Sequence, residues 1–73
     1  MSQHPLSESE ISDLRSLLFE LQVEHRDLDL VIAHLTDNPP PDDLLVRRLK
    51  KRKLLLKDRI LQLEQMLVPD IPA

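Results

Sequence analysis

Thr36-Asp37-Asn38-Pro39-Pro40-Pro41-Asp42-Asp43 is the one stretch of this chain that a helix cannot cross. Each proline lacks a backbone N–H, and its ring clashes with the preceding turn. On either side of it, apolar residues step by alternating threes and fours. Upstream the run is Ile11, Leu14, Leu18, Leu21, His25, Leu28, Ile32 and Leu35; downstream it is Val46, Leu49, Lys53, Leu56, Ile60, Leu63 and Leu67. That spacing is the seam of one long helix meeting another. The prediction is an all-α chain of one domain, 1–73, with helix 1 over about 7–36, a proline turn at 37–41, helix 2 over about 42–68, and a tail at 69–73. A turn this short between two such rods makes them an antiparallel, coiled-coil-like hairpin.

The helix ends are written into the same stretches. Ser7 and Glu10 have capping-box spacing, Leu6 can staple onto Ile11, and Glu8 and Glu10 suit the positive end of the helix dipole. Proline and acid are both acceptable in a first helical turn, so the segment that stops helix 1 can open helix 2 through Asp42 and Asp43. Asp43 can then pair with Arg47 one turn on.

Letting Leu35 face Val46 makes facing positions sum to about 81 and sets the layers. Ile32 meets Leu49, Leu28 meets Lys53, His25 meets Leu56, and the series continues to Leu14 with Leu67. Thirteen of the fifteen seam positions are apolar. The two exceptions, His25 and Lys53, fall in adjacent layers, with Asp29 one turn from His25. These three form a polar seam layer, which fixes alignment at some cost in stability. Flank positions bring Glu24 towards Arg59, Asp29 towards Lys50, and Gln22 towards Lys57.

Composition closes many functional classes. Glycine and cysteine are absent and Phe19 is the only aromatic residue among Phe, Trp and Tyr, so phosphate-cradling loops, thiol chemistry and base-stacking platforms lack their residues. The longest unbroken apolar stretch, Leu30-Val31-Ile32-Ala33, is far short of the roughly 20 residues that span a bilayer. Met1-Ser2-Gln3-His4-Pro5 has neither the basic cap nor the apolar core of a signal peptide, and a cytoplasmic protein is expected. No catalytic group, cofactor site or metal site is expected.

The net charge of −3 conceals a segregation: eight of the ten Lys and Arg residues lie between Arg47 and Arg59, and eight of the thirteen acids between Glu8 and Asp37. Folding the halves together would set acid beside base. A second apolar set remains outside the seam. Phe19, Val23, Leu30 and Ala33 lie on the back of helix 1, and Leu54, Leu55, Leu61 and Val68 on the flanks of helix 2. Two helices have no third layer to cover them, and a small chain without staples has little core of its own. The expectation is a homo-oligomer, a dimer forming a four-helix bundle, or docking on another protein, with Phe19, Val23, Leu30, Leu54 and Leu61 as the partner surface.

Glu24-His25-Arg26-Asp27-Leu28-Asp29, with Ile32 a turn later, and Leu49-Lys50-Lys51-Arg52-Lys53-Leu54-Leu55-Leu56-Lys57-Asp58-Arg59-Ile60 resemble the two signatures of the YdcH-like family of small bacterial proteins. The resemblance covers most of both helices. It implies an α-helical hairpin in a bacterial cytoplasm and no known activity, because the family's function is unknown. The proline turn and the tail lie outside it.

Sharper readings compete with these. His25 could ligate a metal or sense pH, but His4 and His34 stand at other sites, and no second ligand joins it at helical spacing. Lys53 could be a desolvated amine, but its methylenes can cover the seam while its ammonium reaches Asp29. Helix 2 lacks the clean division into a basic and an apolar face that membrane-surface binding needs. The alternative function is accessory nucleic-acid binding through Arg47, Arg48, Lys51 and Arg52, the bases least committed to the seam; it would be sequence-blind and salt-sensitive. Nucleic acid is the less favoured partner, and the main expectation is a non-enzymatic structural or interaction module.

Overall fold

The computed structural model describes residues 6–38 and 42–67, and these form two helices. Helix α1 runs Glu8–Asp37 over 30 residues and α2 runs Asp43–Leu67 over 25 residues. Residues 39–41, on which the proline turn was read, and the tail from 68 onward lie outside the described residues.

Local chemistry sets each described end. Ser7 adopts an extended backbone, its Oγ accepts from the Glu10 N–H at 3.1 Å, and Glu10 Oε1 accepts from the Ser7 N–H at 3.2 Å. Two orphan donors of the first turn are satisfied by this exchange. The hydrogen bond from the Ser7 backbone N–H first, and the Ser7 hydroxyl beside the carboxylate second, hold the Glu10 carboxyl below the ordinary glutamate range, against partial desolvation. At the other end of α1, Asn38 returns both its backbone N–H (3.1 Å) and its side-chain amide (2.7 Å) to the His34 carbonyl. Asp42 opens α2 by accepting the Leu45 N–H on Oδ1 at 3.0 Å.

The hairpin measures 54 × 23 × 20 Å. A 30-residue helix is about 45 Å long, so α1 and α2 lie side by side, and the connection at one end makes them antiparallel. Leu28, Ile32, Leu56, Ile60 and Leu63 are buried between them. The other ten seam residues, His25 and Lys53 included, are half-buried. Away from the seam, only Leu6, Glu24 and Glu64 among the described residues are not exposed. Even the most buried side chain, Ile60, keeps 4% of its surface open, so the core is a single strip. No helix among the described residues is long and apolar enough to cross a membrane.

Candidate functional site

The middle of the seam is where charge enters the packing. Lys53 sits at a seam position with its stem between the helices, and its Nζ donates to Asp29 Oδ1 at 2.7 Å. His25 Nδ1 stands 3.8 Å from Asp29 Oδ2, too far for a hydrogen bond but close enough for a charge to be felt. Asp29 is 49% exposed, against 23% for His25 and 32% for Lys53, so the acid holds the wet rim of the layer. The hydrogen bond from Lys53 keeps the Asp29 carboxyl below the ordinary aspartate range. Partial desolvation opposes this, and the charges of Lys53 and then His25 add to it. Lys53, Asp29 and His25 thus stand together at the middle of the seam, as the sequence reading set them. Among the described residues, no group of three or more His, Cys, Asp or Glu is placed to hold a metal ion.

The second inter-helix ion pair joins Arg52 Nη2 to Glu24 Oε1 at 2.6 Å. This corrects the flank pairing read from the sequence, which set Glu24 against Arg59 and Asp29 against Lys50. Arg52 and Arg59 occupy the same flank of α2 one heptad apart, so flank position alone does not choose between them. Asp29 is taken by Lys53, whose long stem reaches out from the seam, and Lys50 makes no ion pair among the described residues. Asp43 likewise makes none with Arg47 there.

The basic block therefore divides differently from the expected way. Arg52, its side chain 64% exposed, pairs with Glu24 of the other helix. Arg47, Arg48, Lys50, Lys51, Lys57 and Arg59 are exposed and make no ion pair among the described residues. Acid and base lie side by side along the hairpin, with two Lys or Arg ion pairs between helices among the described residues.

Phe19, Val23, Leu30, Leu54 and Leu61 are all exposed, Phe19 and Leu54 at 67%. Sequence reasoning missed five further large apolar side chains that are also exposed: Leu17, Val31, Leu44, Leu45 and Met66. Four of these, Leu17, Val31, Leu45 and Met66, flank the seam one residue from a seam position, where a wider interface would have covered them. Their heptad position was the signal that could have found them. An open groove along the first turns of α1, lined by Ile11, Arg15 and Phe19 among others, draws all its lining from one helix.

No curated protein and no solved structure matches the chain. A family model described as a protein of unknown function, DUF465, matches residues 18–64. Both strings that carry the resemblance to the YdcH-like family, 24–29 and 49–60, lie within that span, and YdcH is a member of the family.

Proposed function

The chain belongs to the DUF465 family of proteins of unknown function, and from its geometry we propose that it is a non-enzymatic structural or interaction module of the cytoplasm that self-associates through the outer apolar residues of the hairpin. One observation carries this reading: eleven large apolar side chains are exposed among the described residues, and five are buried. A monomer that leaves this many large apolar groups in water stands to gain from association, since burying each one contributes roughly 1.5–3 kcal/mol. Doubling the hairpin into a four-helix bundle supplies the missing layer. Light scattering tests it: a dimer that persists at high salt is expected, because apolar burial drives it, and a monomer at every concentration would sink the proposal.

The six exposed bases of α2 that make no ion pair among the described residues support a second reading, accessory binding to nucleic acid. Phosphate contacts alone would give retention on generic DNA or RNA that collapses between low and moderate salt. Absence of retention at low salt would remove it.

A further inference from the structure

Resting on the self-association proposed above, we infer that two copies stack on the face that carries the Glu24–Arg52 pair, the acidic α1 of each lying antiparallel on the basic α2 of the other. On this side of the seam, heptad spacing lines up Leu17, Glu24 and Val31 on α1, and Leu45, Arg52, Arg59 and Met66 on α2. Leu17, Val31, Leu45 and Met66 are 37–53% exposed, so an apolar strip lies open along the groove with the ion pair across its middle. The outer edge of α1 on this face carries Asp13, Glu20 and Asp27; that of α2 carries Arg48 and Leu55.

A two-fold interface must be complementary to itself. Two stacked hairpins can meet the requirement in two ways. With the axis running across the helices, like helix lies on like; with the axis running along them, α1 lies on α2. Helix α1 holds eight acids and two bases and α2 three acids and eight bases, so like-on-like stacking sets −6 against −6 and +5 against +5. Charge selects the axis along the helices. It also selects the face. The two bases of α1, Arg15 and Arg26, lie on the opposite side, where they would meet a second copy's α2 along Arg47, Lys50 and Lys57.

An axis along the helices leaves every residue at its own height, so positions that sum to about 81 meet between copies as they do within one. Glu20 then lies within about 3 Å, along the axis, of the level of Arg59 of the partner subunit. Neither residue makes an ion pair within the hairpin among the described residues. The face is also large enough: a shared length of about 40 Å and a width of about 20 Å give on the order of 800 Å² per copy, the size of a standard interface.

A charge swap tests the arrangement. In the full chain, E20R would set arginine on arginine twice per dimer, and R59E glutamate on glutamate twice, whereas a mixed dimer of the two variants has opposite charges at both contacts. Sedimentation at low salt, with helicity checked by circular dichroism, should show each variant alone dimerising at least about tenfold more weakly and the equimolar mixture recovering to within about threefold of wild type. If wild type is dimeric while either variant alone dimerises as well as wild type, or the mixture does no better than each variant alone, this stacking is overturned and self-association stands. A monomeric wild type overturns both.

Discussion

Replacing His25 and Lys53 together by leucine removes the polar layer and leaves the spacing of the seam intact. The two side chains are 23% and 32% exposed, so a leucine in either place would be largely covered. Full burial of a leucine contributes roughly 1.5–3 kcal/mol. Only part of that is new, because the imidazole ring and the lysine methylenes already cover the strip. About 1 kcal/mol per site remains. Against it stands the loss of the Lys53–Asp29 pair, but Asp29 is half in water and returns to hydration rather than being left buried and unpaired. The net expectation is a stabilisation of about 1–2 kcal/mol, and each kcal/mol raises the melting temperature of a domain this small by about 4–8 °C. Thermal unfolding followed by circular dichroism at neutral pH reads it. Protein concentration must be fixed, since self-association itself raises the melting point. If the layer fixes alignment, the same variant should also show a broader distribution of oligomers. A melting temperature several degrees below wild type would refute the reasoning and give the layer a role other than alignment.

Ile60→Ala strikes the most buried side chain and should cost about 2–3 kcal/mol, the low end for a buried isoleucine because the thin core lets water into the gap, as chemical denaturation would show. Ser7→Ala removes the hydroxyl that accepts the Glu10 N–H and should cost about 0.5–2 kcal/mol, with amide exchange rising first in the opening turn of α1. The sign of the pH dependence follows from Asp29, whose folded carboxyl titrates below its unfolded value: its contribution is complete above the ordinary aspartate pKa and is lost as pH falls through the lowered one. D29N should therefore lose less melting temperature than wild type on acidification below about pH 4; equal losses would show that the pair does not titrate this way.

The sequence made the seam legible because a heptad is a geometric statement: apolar side chains at that spacing can share a surface only on a helix. All fifteen positions from Ile11 to Leu67 are buried or half-buried. Ser7 and Glu10 were legible for a similar reason, as their bonding partners are fixed by local spacing. Ion-pair choice was legible in part: Lys53 reaches Asp29 as its seam position suggested, but the partner of Glu24 was not legible. Arg52 and Arg59 repeat the same flank, and reach along the helix decides between them. Leu17, Val31, Leu45 and Met66 stand beside the seam and are exposed, because two helices shelter only a strip about one side chain wide. Partner identity lies further still, since an apolar face attracts through a non-directional force and leaves the choice of partner to charge.

Sedimentation equilibrium of the full chain, run over a wide range of concentrations in about 0.5 M salt, goes most directly to the central claim that apolar residues exposed on the hairpin join it to a second copy. At that ionic strength surface charge is screened over a few Å, so apolar burial is left to hold the assembly. A mass twice that of the 8.5 kDa chain is the predicted result. A single species of 8.5 kDa at every concentration would contradict it.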